Sequence, residues 1–350
     1  MSGFLTIALI VLVFVIIYQI AKASEYSTIL RGKEKIERQT HRTIGWLFVL
    51  TFLLGMWGIY ECHTYLMEKM LPVAASDHGE RYDSMYRITT IITGIVFFVT
   101  QGLLFFFAFR YQSSEKQTSF FYPHNNKLEL LWTTVPAIAM ASLVAIGLRA
   151  WFNMTSEAPK DAQVIEIVGK QFNWIVRYPG KDGVLGKRDF RNINDATNVL
   201  GLDWNDKANR DDIIAENGEV RLVVNKPAKF IIGSRDVIHD VGLPHFRMKM
   251  DAVPGVITTL WFTPKYTTKE MKKITGNPDF VYEISCDQMC GKGHYAMRGT
   301  VEVVTQAEFE AWKMMQKSYY ASLNAAPEAP PAGTAQPQQN ADSAQKVTLN

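Results

Sequence analysis

Four runs without a single charged side chain occupy the first half of the sequence and decide what it can fold into: residues 4–21, 43–60, 88–109 and 130–148. A helix needs about 20 apolar residues, range roughly 17–25, to cross the hydrocarbon core of a bilayer, and each run reaches that length. Trp46, Trp57, Tyr60, Tyr111, Trp132 and Trp151 lie near the run ends, where amphipathic rings favour the membrane–water boundary. Buried helices of a soluble core seldom stay uncharged for so long. Residues 1–158 are therefore read as a membrane anchor of four transmembrane helices. Ala21-Lys22-Ala23 imitates a signal-peptide cleavage site. Met1-Ser2-Gly3, however, carries no positive charge, and the apolar run exceeds the usual span of about 7–15 residues, so the expectation is a retained first helix.

The basic residues set the orientation. Lys22, Arg31, Lys33, Lys35, Arg38 and Arg42 follow the first run, whereas the segment from Glu61 to Arg87 holds only Lys69, Arg81 and Arg87 among five acids. The positive-inside bias places the first loop and the Arg110–Lys127 loop in the cytoplasm, and four crossings put everything after Trp151 outside. Across the whole chain 37 basic residues nearly balance 34 acidic ones, which argues against a nucleic-acid binder.

Past about residue 159 the pattern changes. Short β-rich runs appear at Val164–Val168, Phe172–Arg177, Val220–Val224, Lys229–Ile232, Val256–Phe262, Phe280–Ile284 and Thr300–Val304, punctuated by Pro179-Gly180, Pro227, Pro244, Pro254-Gly255 and Gly291. Several short strands without helical periodicity between them predict an antiparallel sandwich or barrel over 159–309. The polar stretch 180–218 is too long for a hairpin loop and reads as an insertion. Residues 310–350 read as a short helix followed by a disordered tail of Ala, Pro and Gln.

The chemistry concentrates in Cys286, Cys290, His294 and Met297, spaced C-x3-C-x3-H-x2-M, with His239 supplied from the end of an upstream strand. Thiolate and thioether are soft donors that select copper, and imidazole suits it as well. Zinc on Cys286, Cys290, His294 and His239 would leave Met297 unused. A Cys286–Cys290 disulfide would leave two imidazoles and a thioether unexplained. A mononuclear blue-copper site has one cysteine too few to use both thiols. Two thiolates can instead bridge two coppers, an arrangement suited to fast electron transfer. His41, His63, His78 and His124 have no ligand-like spacing, His245 is a decoy close to His239, and Cys62 reads as a buried or lipid-facing thiol.

On these residues the chain resembles subunit II of the haem-copper (cytochrome c type) oxidases, from about Ile88 to Val304. The resemblance implies a cupredoxin-like, Greek-key β barrel holding two copper ions in the binuclear copper A centre. Its ligands fall on His239 in Asp236-Val237-Ile238-His239, on Cys286, Cys290, His294 and Met297, and on the backbone carbonyl of Gln288. The stretch Lys249-Met250-Asp251-Ala252-Val253-Pro254-Gly255 and the helix entry Leu128-Glu129-Leu130-Leu131-Trp132 are also similar to the family. The implied role is the electron-entry subunit of a proton-pumping terminal oxidase in a bacterial-type inner membrane. Its copper domain is periplasmic, it receives electrons from a cytochrome c, and it passes them to haem in subunit I, where oxygen is reduced to water. Subunit I and the other oxidase subunits are the implied partners, and Glu129 matches the acid at the entrance of a proton path.

Three departures modify this expectation. Gln288 replaces a family glutamate that helps hold magnesium, and a neutral amide is a poor ligand for a hard cation. Phe172, with Trp174 two residues on, replaces the first tryptophan of the electron-entry element. Two extra helices precede the family's hairpin and offer a surface for partner subunits. The last two departures point to a cytochrome c donor held in the membrane or within a respiratory supercomplex. The alternative function is a membrane-anchored copper chaperone of C-x3-C type. Such proteins resemble thioredoxins, and neither Gly291 after the second cysteine nor the missing helical periodicity fits one.

Overall fold

The computed structural model describes residues 2–31, 33–113 and 120–324. The expected tail from residue 325 onward lies outside the described residues. Four long helices come first: α1 (Ser2–Arg31), α2 (Lys33–Met70), α3 (Asp77–Arg110) and α4 (Asn126–Met154). Each extends beyond its uncharged run, because polar residues continue the helix once the chain has left the apolar slab. Ser76 and Asn125 cap α3 and α4, accepting hydrogen bonds from the N–H groups of Gly79 and Leu128. Among the described residues α2, α3 and α4 are long and apolar enough to span a membrane. The first expected span falls within α1, where the side chains of residues 1–7 and 10 lie outside the described set. Each helix packs on its neighbour in sequence, and the outward faces remain apolar and exposed.

The β part comprises β1 (Gln163–Lys170), β2 (Asn173–Tyr178), β3 (Ile213–Ala215), β4 (Glu219–Val223), β5 (Ala228–Ser234), β6 (His239–Leu243), β7 (Met248–Ala252), β8 (Thr258–Phe262), β9 (Tyr282–Cys286) and β10 (Arg298–Val304). One sheet runs β3-β2-β1-β5-β8 and the other β4-β10-β9-β6-β7. The expected antiparallel pattern is corrected to a mixed one: β1 pairs with β5, and β10 with β4, in parallel. The two inner faces bury Ile165, Ile167, Trp174, Val176, Phe230, Ile232, Val241, Tyr282, Ile284 and Val301 between them. This is the two-layer packing of a cupredoxin-like domain. A short helix, α5 (Thr268–Thr275), joins β8 to β9, and α6 (Gln306–Met315) and α7 (Tyr319–Asn324) close the described chain.

The 180–218 segment is folded against the outside of the first sheet, and its last residues form β3, which pairs with β2. Val199, Leu200 and Leu202 bury against Val168, Ile175 and Tyr319 in a second, smaller core. Arg177 ties the segment down. Its guanidinium reaches Glu166 at 2.9 Å, Asn209 Oδ1 at 2.6 Å and the Gly186 carbonyl at 2.9 Å, and it also bonds Asp212.

The anchor and the β domain are joined by more than the chain. Ala75 is buried in the β core and exchanges backbone hydrogen bonds with His245 and Lys265. Ser76 Oγ donates to the Phe246 carbonyl at 2.7 Å, and Arg247 grips Asp83 of α3 with two bonds of 2.9 and 3.0 Å. At the far end of α4, Trp261 Nε1 donates to the Ser156 carbonyl at 2.9 Å while the His78 ring meets Trp261 edge-on at 4.6 Å.

Candidate metal centre

Two loops meet at the end of the second sheet. One leads into β6 and presents His239. The other leaves β9 at Cys286 and returns through Cys290 and His294 to Met297. The Sγ atoms of Cys286 and Cys290 stand 3.7 Å apart, and both cysteines are free. A disulfide needs about 2.05 Å, so the disulfide reading does not describe this pair. His239 Nδ1 lies 3.8 Å from Cys286 Sγ, His294 Nδ1 lies 3.7 Å from Cys290 Sγ, Met297 Sδ lies 3.9 Å from Cys290 Sγ, and the Gln288 carbonyl lies 3.2 Å from Cys286 Sγ. The donor atoms of His239, Cys286 and Cys290 all fall within 4.8 Å of one another. All six expected ligand positions therefore converge, and every donor atom named here neighbours a thiol sulfur.

The local folding explains the convergence. Gly291 has φ 135°, in the region that favours glycine, and lets the chain turn back between Cys290 and His294. Asp236 Oδ1 lies 2.8 Å from His239 Nε2. A carboxylate there accepts a hydrogen bond from the Nε2–H and so leaves the Nδ1 lone pair facing the sulfurs, which is how buried ligand histidines are oriented. Burial by itself would raise the Asp236 carboxyl, but hydrogen bonds from the Gln171 N–H, His239 and the Val237 N–H hold it below the usual range. Burial pushes the Cys290 thiol up to about 11, with Cys286 beside it adding to the shift. A metal that binds here must displace that proton. His239, Cys286, Cys290 and Met297 are buried, so the site is dry on its inner side.

The remaining sequence candidates separate cleanly. His245 packs edge-on against Phe280 and Tyr282, at 5.0 and 5.5 Å, and stays outside the donor group. Glu129 lies in the first turn of α4, exposed, where the helix dipole favours a carboxylate. Trp174, named beside Phe172 at electron entry although strand packing is its simpler reading, sits in the strand core. It is wholly buried and meets the His239 ring at 6.0 Å, so it offers no surface to a donor. Phe172 is 39% exposed and lies over the metal loop: a Cβ added to Gly293 would come within 2.5 Å of its ring. Asp240, next to His239, is a buried acid that sequence reasoning missed. Asp240 is buried with Oδ1 unpartnered, and burial together with Asp251 across the ladder pushes it up to about 7.

Fold and site define a class: a membrane-anchored, cupredoxin-like domain whose buried thiol, imidazole and thioether donors suit a soft metal. The two-sheet β domain also displaces the thioredoxin-like chaperone expected as the alternative. The family described as cytochrome c oxidase subunit II, periplasmic domain, matches residues 163–304, and the corresponding transmembrane domain matches residues 64–150. The alternative cytochrome c oxidase subunit 2 of Bradyrhizobium diazoefficiens is 36% identical over 237 residues, covering 68% of this chain and 80% of that one. The cytochrome c oxidase subunit 2 of Cereibacter sphaeroides is 27% identical over 255 residues, covering 70% and 79%. Among solved structures, the periplasmic domain of cytochrome oxidase subunit II of Bradyrhizobium japonicum shares 28% identity with a TM-score of 0.30, covering 45% of this chain and 95% of that one. The chain belongs to the cytochrome c oxidase subunit II family. Helix α1 and most of α2 precede the matched transmembrane region.

Proposed function

We propose that this chain is the electron-entry subunit of a proton-pumping terminal oxidase, with His239, Cys286, Cys290, His294, Met297 and the Gln288 carbonyl as the ligands of a binuclear copper centre. The observation that carries the reading is the pair of unbonded sulfurs 3.7 Å apart, flanked by imidazole nitrogens at 3.8 and 3.7 Å. A zinc site has no use for the buried thioether of Met297. When bound, the copper pair supplies one-electron transfer between a cytochrome c outside and haem in subunit I. The protein residues bind it, orient it and keep it dry. Asp236 fixes the ring of His239, the buried walls exclude water, and Phe172 is the exposed aromatic surface through which a donor makes contact.

In this reading the anchor crosses a bacterial-type inner membrane four times and leaves the β domain in the periplasm, docked on subunit I and the other oxidase subunits. Glu129, at the cytoplasmic start of α4, stands at the mouth of a proton path, since acids at membrane depth mark ion routes. No magnesium is assigned to Gln288, whose amide lacks the charge a hard cation wants. With Phe172 in place of an indole and two extra helices available as a contact surface, the donor is a cytochrome c held at the membrane or in a respiratory supercomplex. Metal analysis with EPR on the full chain in detergent tests the centre. Two coppers per chain in a mixed-valence state support it, and stoichiometric zinc overturns it.

A further inference from the structure

The turn between β1 and β2 consists of Gln171 and Phe172, and it rests directly on the metal loop. Gln171 makes two hydrogen bonds in different directions. Its side-chain Nε2 donates to the Cys290 carbonyl at 2.6 Å, and its backbone N–H donates to Asp236 Oδ2 at 2.8 Å. The other oxygen of Asp236, Oδ1, lies 2.8 Å from His239 Nε2. An unbroken chain of bonds therefore runs from His239 on one ligand loop, through Asp236 and Gln171, to Cys290 on the other.

Two glycines make the contact close. A Cβ on Gly291 would stand 2.9 Å from Gln171 Nε2, and one on Gly293 would stand 2.5 Å from the Phe172 ring, so any larger residue at either position would push the turn away. The two loops are also joined below the donor atoms by the pairing of Val241 with Cys286 and by the Asp287 N–H donating to the Asp240 carbonyl at 3.2 Å, so the turn adds a tie on the far side of the cysteines, at Cys290. Cys290 presents its sulfur to the donors and its carbonyl to Gln171. A shift of the Gln171 amide is thus transmitted to the sulfur through one residue.

We propose that Gln171 is a positioning residue of the metal centre, one that clamps the two ligand loops together by donating to the Cys290 carbonyl while its N–H holds the Asp236 carboxylate. The inference rests on the copper reading above and adds a determinant that is not itself a ligand. Outer bonds of this kind are worth about 10–100-fold in metal affinity. The donor character of the amide sets the chemistry of the test. Gln171→Leu removes the donor at similar volume. Gln171→Glu keeps the shape and turns an acceptor toward another acceptor.

The experiment loads the full chain in detergent with copper. It then measures copper content, the EPR spectrum and the rate of copper transfer to excess bathocuproine for wild type, Gln171→Leu and Gln171→Glu. The expected result is copper release about 10–100-fold faster in both variants, with glutamate at least as severe as leucine and the EPR hyperfine pattern changed. Release within twofold of wild type in either variant overturns the clamp, because a space-filling role is satisfied by the isosteric glutamate. A wild-type chain that takes up no copper pair fails the functional reading instead. Normal wild-type loading with unaltered variants fails only the role of Gln171.

Discussion

Replacing Arg177 by methionine removes the cation at the centre of the bonds that hold the 180–218 segment to the sheet. Arg177 and Asp212 are wholly buried and Glu166 nearly so. Taking one partner from a buried ion pair costs about 3–5 kcal/mol, because the other charge stays behind without compensation. Glu166 retains Arg188 at 2.9 Å, whereas Asp212 loses its only cationic partner among the described residues, so the lower end, about 3 kcal/mol, is expected. The cost depends on pH in a definite direction. Burial already pushes Asp212 up to about 6, opposed by Arg177, and without that opposition it rises further. A carboxyl whose folded pKa exceeds the unfolded value of about 3.9 binds its proton more tightly when folded, so its contribution falls as pH rises through that window. The unfolded chains share one Asp212 pKa, so the deficit of the variant against wild type is smallest and flat below about pH 6, where both folded states hold Asp212 protonated. It grows as pH rises above that value and wild-type Asp212 ionises beside Arg177. Urea unfolding of the full chain in mild detergent reads it by tryptophan fluorescence, since Trp204 of the segment packs against Tyr319 and Tyr320 at 6.3 and 5.3 Å. A deficit under about 1 kcal/mol at neutral pH, the worth of an exposed pair, refutes the argument. So does a deficit that grows on acidification.

Cys286→Ser or Cys290→Ser abolishes the copper signal, because a hydroxyl is too hard and too weakly acidic to replace a bridging thiolate. His245→Ala leaves copper content and EPR as in wild type, and loss of the signal there would show that the wrong imidazole has been assigned. A topology reporter fused after Arg38 reads cytoplasmic and one after Asp77 reads exterior; the reverse pattern removes the four-crossing anchor. Oxygen consumption by native membranes is nearly insensitive to ionic strength and added soluble cytochrome c is a poor substrate, because a tethered donor needs little charge steering. Fast, strongly salt-dependent oxidation of the soluble protein contradicts this.

The donor side chains are readable in sequence because cysteine, histidine and methionine at tight spacing have few other uses, whereas Gln288 enters the proposed set by a carbonyl that every residue carries. Strand alternation places Trp174, Val176 and Tyr178 on one buried face, which is why strand packing is the readable role of the tryptophan. The strands β6 and β7 escape a propensity reading, since His239-Asp240-Val241-Gly242-Leu243 and Met248-Lys249-Met250-Asp251-Ala252 hold one β-branched residue between them. Their pairing in the sheet overrides that weakness. The parallel pairing of β1 with β5 joins positions some 65 residues apart, as in Gln163 with Ala228, and local pattern carries no trace of it. Gln171 is illegible for the same reason. Its partners Asp236 and Cys290 lie 65 and 119 positions away, and a glutamine in a turn looks like solvent-facing filler.

The seam between anchor and β domain has a mechanical meaning. Electron carriers that shuttle by swinging need a slack tether, and this chain has none at either junction. Ala75 and Ser76 are stitched into the barrel before α3 begins, Arg247 holds Asp83 on the helix itself, and Trp261 pins the exit from α4. Reorienting the barrel would break all of these at once. The loops at Cys286–Met297 therefore keep one fixed bearing on α3 and α4, and under the proposed function a redox partner has to travel to them.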